Sequence, residues 1–346
     1  MSPKPPNKTL TLPSGTTYAY HFHPPSDGKP TLLFLHGFPS TSHEWRHQIT
    51  HFSSQGYGIL APDLLGYGLS SKPLEVEKYL GSAMSANIIA ILTHEGLTSG
   101  NVVGIAHDWG TSLLSQLAFR YPSYFSKFVF ISVPYQPPGR GMDVSSVNAA
   151  TKEANGYEQF GYWLFFTSPE AGKRIGERWE SFFSIAYPED ADDWTTDFAG
   201  IGDLERFISA DKRTKIGEWI GDVQEEAGWH HEMFGDDYSA PLRWYHRGIK
   251  GLGKEEEGEL LKRGEVKEKI GKETLMITGT KDRVCDAGKA RMIIGAFVES
   301  PKENLKVVDL EAGHWVMLEK TEEMNRALEM FLENGVRDEG GTESKI

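Results

Sequence analysis

The sequence predicts a mostly parallel, doubly wound α/β sheet carrying an inserted helical lid, on three observations. Short, continuously apolar runs alternate with helix-patterned segments in the first third of the chain. The same rhythm resumes near the end, and between the two lies a long aromatic stretch that lacks it. Strands that are apolar throughout, and that alternate with helices, are those of a parallel sheet covered on both faces.

The elements follow in chain order. Residues 9–12 and 16–22 flank Pro13-Ser14-Gly15, a strand–turn–strand signal. Residues 31–35 form a short buried strand, and residues 42–53 a helix with Ser42 as its N-cap. A strand over 58–61 ends at Pro62-Asp63. Met84, Ile88 and Ile91 recur at helical spacing within a helix predicted over 77–93. A third buried strand, 101–105, precedes a helix over 111–119, and a fourth, 127–133, closes this half. Strands at 275–278 and 305–309 and a helix at 322–332 complete the sheet. The expected organisation is a first core segment at 1–136, a lid and charged connector at 137–271, a second core segment at 272–335 and a disordered tail at 336–346. The lid region holds six of the nine tryptophans, at positions 163, 179, 194, 219, 229 and 244. Inserted at this point of a doubly wound sheet, it is expected to cover the C-terminal ends of the strands. The mixed charge run over 254–273 reads as a solvated helix face or a connector.

Composition narrows the function. The 346 residues are 39% hydrophobic and 25% charged, and the formal net charge of −13 argues against nucleic acid or an anionic membrane as partner. The apolar runs are far too short to span a membrane, and the polar N-terminus carries no secretory signal. A single cysteine, Cys285, excludes an intrachain disulfide and points to a reducing compartment. The expected location is the cytoplasm, with peroxisomal import as the alternative, because Ser344-Lys345-Ile346 differs by one residue from a Ser-Lys-Leu address. His230-His231-Glu232 lacks the i,i+4 histidine spacing of a helical zinc site, and no phosphate loop or dinucleotide fingerprint is present. Neither a metal nor a cofactor is expected.

The strongest chemical signal is Gly104-Ile105-Ala106-His107-Asp108-Trp109-Gly110, directly after a predicted strand and before a predicted helix. Small residues two before and two after a central side chain are the pattern of a nucleophile elbow, whose turn is too tight for anything larger. The elbow lifts one side chain above the sheet at a helix N-terminus, where the dipole favours an anion. Here that side chain is Asp108. Serine attacking sp³ carbon would leave an ether, a dead end; a carboxylate leaves an alkyl ester that water can cleave. An aspartate elbow therefore points to displacement at alkyl carbon. Asp282, in Gly279-Thr280-Lys281-Asp282-Arg283, and His314, in Ala312-Gly313-His314-Trp315, follow in the order nucleophile, acid, histidine, each just past a strand. His314 would activate the water, and Asp282 would hold its tautomer and stabilise its charged form. His36-Gly37-Phe38-Pro39 follows the 31–35 strand. The Phe38 and Trp109 backbone N–H groups are the candidate oxyanion hole, Pro39 is a place where a cis bond would shape the turn, and His36 reads as structural.

The elbow, the His-Gly-Phe-Pro loop and Asp63-Leu64-Leu65-Gly66-Tyr67-Gly68 together resemble the soluble epoxide hydrolases of the α/β-hydrolase superfamily, from about residue 31 to residue 332. The resemblance implies the α/β-hydrolase fold and two lid tyrosines that hold the epoxide oxygen. Phe160-Gly161-Tyr162-Trp163 with Ser168-Pro169-Glu170 is similar to the first tyrosine motif and gives Tyr162. Pro241-Leu242-Arg243-Trp244-Tyr245 is similar to the second and gives Tyr245. An opening epoxide leaves as an alkoxide and needs such an acid. The pocket is expected to be lined by Phe38, Pro39, Trp109, Trp163, Trp244 and Trp315, and the partners are a small apolar epoxide and water. One departure stands out: the family usually has a second glycine after Asp-Trp-Gly, where this chain has Thr111.

Two rival readings remain. A dehalogenase on the same fold could use Trp109 as a halide donor, although haloalkane enzymes typically carry a side-chain donor where Phe38 stands and fluoroacetate-type enzymes an arginine where Trp109 stands. A non-catalytic, ligand-binding homologue is the other. The missing serine disfavours an esterase. The epoxide, its stereochemistry and the oligomeric state are open.

Overall fold

The computed structural model describes residues 4–26, 28–98 and 100–334. The tail read at 336–346, with its Ser344-Lys345-Ile346 end, lies outside them. Eight strands form one sheet: β1 (Lys8–Thr11), β2 (Thr17–His23), β3 (Thr31–Leu35), β4 (Gly58–Pro62), β5 (Val102–His107), β6 (Phe125–Ile131), β7 (Glu273–Gly279) and β8 (Leu305–Leu310). Their order is β1-β2-β4-β3-β5-β6-β7-β8. The β1/β2 and β2/β4 pairs are antiparallel, and every later pair is parallel. This is the expected sheet, with an antiparallel edge added.

Alternation along the strands divides the core between the two faces. Leu33, Leu35, Val102, Ala106, Phe128, Phe130 and Met276 belong to one cluster, with Met84, Ile88 and Ile91 of α2 (Gly81–His94) and Leu113, Leu114 and Leu117 of α3 (Trp109–Arg120). Leu32, Phe34, Val103, Ile105, Val129, Ile131, Leu275 and Ile277 point the other way. They meet Phe52 of α1 (Arg46–Ser54) and Met324, Leu328 and Phe331 of the helix Thr321–Asn334. Strands apolar along their whole length are required because both faces are covered.

Three local expectations are corrected. The helix read over 42–53 is a 3₁₀ turn, Ser42–Trp45, running into α1. Its N-cap is Thr41, whose side chain accepts from the His43 N–H, because Ser42 bonds Asp63 instead, Oγ to Oδ1 at 2.7 Å. The helix read over 77–93 is broken at Leu80, so that a 3₁₀ turn at Val76–Tyr79 precedes α2. The charged run, expected as a solvated helix face or a connector, contains a helix, Lys254–Lys262, with Glu255, Glu256, Glu259 and Lys262 exposed. Glu257 is buried and accepts from Gln116 Nε2, the Gly139 N–H and Lys254 Nζ, which ties the helix to the core.

Between β6 and β7 the chain forms short helices that cross the C-terminal ends of the strands. Phe166, Phe182, Trp194, Phe198, Tyr238 and Trp244 of this lid share one apolar cluster with the upper face of the sheet. Among the described residues no helix is long and apolar enough to cross a membrane.

Candidate active site

The loop between β5 and α3 holds Asp108 at φ +47° and ψ −122°. Few residues with a Cβ adopt that conformation, and it costs about 1–3 kcal/mol unless its surroundings enforce it. Here they do. A Cβ on Gly110 would stand 2.3 Å from the Leu35 carbonyl oxygen, and one on Gly37 would stand 2.4 Å from Asp108 Cβ. Gly110 is thus required by the close approach of the β3 backbone, and Gly37 by the close approach of the Asp108 side chain. Thr111, the departure from the family pattern, donates Oγ1–H to the Asp108 carbonyl at 2.6 Å and closes the first turn of α3. The Phe38–Pro39 peptide is cis. His36 is structural: its Nδ1 lies 2.9 Å from the Gly37 carbonyl, and its Nε2 accepts the Leu64 N–H at 2.9 Å.

The two carboxylate oxygens of Asp108 differ in their surroundings. Oδ1 accepts the Phe38 N–H at 2.9 Å, while Oδ2 faces His314 Nε2 across 3.9 Å. That gap is too long for a hydrogen bond and leaves room between the imidazole and the carboxylate. The Trp109 N–H opens α3 and is one of the first-turn donors that a helix leaves without an internal partner.

His314 Nδ1 and Asp282 Oδ2 are 2.7 Å apart. Asp282 Oδ1 accepts the Val284 and Cys285 N–H groups, both at 2.8 Å, so the loop after β7 fixes the carboxylate before it fixes the histidine. Burial works against a charge on His314. The field of Asp282 and its hydrogen bond, helped by Asp108 and Glu44, outweigh burial and raise the imidazole to about 9. Asp282, Cys285 and His314 have ligand-type atoms within 4.8 Å of one another, but the first and last are spent on their mutual hydrogen bond.

Asp108 and His314 line one narrow cavity with Phe38, Pro39, Tyr162, Tyr245 and Trp315. The two tyrosine rings are 6.0 Å apart at 77°, and burial raises both phenols well above their ordinary range. Three expected wall residues are not part of this cavity. Trp244 is core: its indole donates to the Leu65 carbonyl at 2.9 Å and packs on Tyr67 and Tyr79. Trp109 and Trp163 stack 5.3 Å apart behind Tyr245, their ring centroids 5.0 and 5.2 Å from its own. They support the tyrosine rather than the ligand space. The wall instead includes Trp194 and Phe198, stacked at 5.0 Å, which run from His314 to Tyr162. Sequence reasoning missed both, since no motif marks them and only the folding of the lid brings them there.

A family model described as alpha/beta hydrolase fold matches residues 30–182. The Bifunctional epoxide hydrolase 2 of Mus musculus is 28% identical over 342 residues, covering 92% of this chain and 54% of that protein. The chain spans about half the length of the mouse, pig and rat relatives that it matches. The Epoxide hydrolase srdG of Neurospora crassa is 25% identical over 340 residues and covers 94% of both chains. Among solved structures, Epoxide Hydrolase A from Mycobacterium thermoresistibile superposes with a TM-score of 0.75 at 25% identity, over 96% of this chain and 99% of that one.

Proposed function

We propose that this chain, which has the α/β-hydrolase fold, is an epoxide hydrolase that converts an apolar epoxide to a vicinal diol through an ester on Asp108. The observation that carries the reading is a carboxylate at the elbow sharing one cavity with two buried lid tyrosines. The names borne by the relatives support it.

The surroundings of each group suggest its step. Oδ2 of Asp108, which accepts from no backbone donor among the described residues, attacks an epoxide carbon, and the C–O bond of the ring breaks. The ring oxygen takes a proton from Tyr162 or Tyr245, which hold it from the lid side. The ester carbonyl is then Oδ1, already seated on the Phe38 N–H. Loss of the Asp108 charge removes one of the fields that keep His314 protonated, so the imidazolium passes its proton to the tyrosinate and becomes a base when one is needed. His314 takes a proton from water, which attacks the ester carbon. The oxyanion forms at Oδ1 between the Phe38 and Trp109 N–H groups. Collapse expels the diol as an alkoxide, which takes the remaining water proton from the new carboxyl group, and leaves Asp108 ionised and His314 protonated as at the start.

The dehalogenase reading draws less support, because the Trp109 indole is directed at the Tyr245 hydroxyl and its ring packs behind that residue rather than lining the cavity. The test is turnover of an aromatic epoxide such as stilbene oxide beside a haloalkane and a haloacid. Diol from the first and no halide from the others is the expected result. Halide release without diol would replace the reading by dehalogenation, and a bound but unconverted ligand would replace it by a receptor role.

A further inference from the structure

Glu44 is a buried carboxyl that the steps above leave unused. It is 2% exposed, and it lines a second cavity with Ser40, His43, Arg46, Tyr187 and Glu226, next along the loop from the Pro39 that lines the first. The Ser40 hydroxyl and the Gly37 backbone bear on its carboxyl and favour the charged form. His107 Nδ1, which has no hydrogen-bond partner among the described residues, lies 3.4 Å from Glu44 Oε1.

Hydrogen-bond bookkeeping assigns the protons. His107 is fully buried, and its Nε2 is 3.0 Å from the His314 carbonyl. A carbonyl can only accept, so Nε2 carries the hydrogen. Burial first, and then the charge of His314, hold His107 down at about 3, so the ring is neutral and Nδ1 is a bare acceptor. A carboxylate is repelled by a bare acceptor; a carboxylic acid can donate to it. The titratable groups facing Glu44 are His36, His107, His314, Arg46, Tyr67 and Tyr187. Burial outweighs the opposing pull of His36, Ser40, the Gly37 backbone and His314, and the carboxyl is pushed up to about 7.

We propose that Glu44 is a positioning residue for His314: as a neutral acid it donates to His107 Nδ1, and His107 in turn anchors the His314 backbone. On ionisation it loses that bond and places a further negative charge behind the histidine, beside that of Asp282. His314 then holds its proton more tightly, so the water-activating step is favoured where Glu44 keeps its own proton. The Ser132 hydroxyl, which donates to the same His314 carbonyl at 3.3 Å, keeps the loop in place in both states. The inference rests on the reading of His314 as the base.

The test uses no substrate, so it fails or succeeds independently of the epoxide assignment. Nitrogen-15 NMR of histidine-labelled protein is recorded from roughly pH 5 to roughly pH 11, so that the change at Glu44 and the His314 midpoint both fall inside the range, for the wild type and Glu44→Gln. A glutamine amide can donate to Nδ1 but carries no charge, so it mimics the neutral acid at every pH. The expected wild-type result is a neutral His107 with hydrogen on Nε2 throughout and a step in its Nδ1 shift centred near 7. In Glu44→Gln the step disappears and the His314 midpoint moves lower. A His107 with hydrogen on Nδ1, a step that survives in Glu44→Gln, or an unmoved His314 midpoint would overturn the proposal. Should the variant not fold, the wild-type tautomer and the presence or absence of the step still decide it.

Discussion

Asp108 combines a strained backbone with two unlike oxygens, and its neighbours divide the labour between binding and base. Asp282 is the largest favourable influence on the proton of His314, so Asp282→Asn is expected to lower the imidazole from about 9. It should leave ester formation in place and slow ester hydrolysis by about 10²–10⁴-fold, the usual worth of a positioned general base. Rapid-quench kinetics that resolve the two steps check this. At the other end of the cavity, replacing Tyr162 or Tyr245 by Phe is expected to cost about 10–10²-fold in ester formation, and replacing both about 10²–10⁴-fold, since one phenol can partly serve for two. Stopped-flow tryptophan fluorescence reads that step. Asp108, Asp282 and His314 were legible in the sequence because each follows a strand among small residues. Glu44 and His107 were not, since their chemistry arises from burial and from which ring nitrogen faces a carbonyl.

The elements explain why some aromatic residues matter to substrate and others to stability. Trp244 and Trp194 both come from the aromatic lid, yet the first is fully buried core and the second is cavity wall beside His314. Trp244→Ala is expected to cost about 3–5 kcal/mol, the usual range for removing a buried Trp or Phe. Trp194→Ala is expected to act mainly on KM and on which epoxides are accepted. Urea unfolding and steady-state kinetics on the two variants separate these outcomes. Strands β3, β4 and β5 were readable because continuous apolar runs of that length have few other uses in a chain of this kind, whereas Lys306 and Asp309 interrupt β8 and leave it largely half-buried. The helix Ala287–Phe297 was not assigned, since Gly288 and Gly295 interrupt its pattern and it buries only Ala290 and Ile294. Lid helices such as Tyr162–Phe166 and Asp193–Asp197 are single turns held by tertiary packing, which no local period announces.

Across the whole molecule, the proposed mechanism draws nucleophile, acid and base from the ends of β5, β7 and β8, and its proton donors from the segment inserted between β6 and β7. This division ties folding to the chemistry of His314. Its folded-state affinity for a proton exceeds that of a free histidine, so the protonated form stabilises the fold. That contribution is complete below about 6.5 and disappears as pH rises through about 9. It is on the order of 3 kcal/mol at most. Unfolding free energies of wild type and His314→Gln are therefore expected to converge over that window. The raised carboxyl of Glu44 acts in a lower one, its contribution being lost between about 4.5 and about 7.

The most direct test of the account is a single turnover of an aromatic epoxide in ¹⁸O water, followed by mass spectrometry of the peptide containing Asp108. The ester pathway places the first oxygen of the diol from the protein and replaces it from water, so label in the Asp108 carboxylate is the predicted result. Diol formed with an unlabelled Asp108 would mean that water attacks the epoxide directly, and would contradict it.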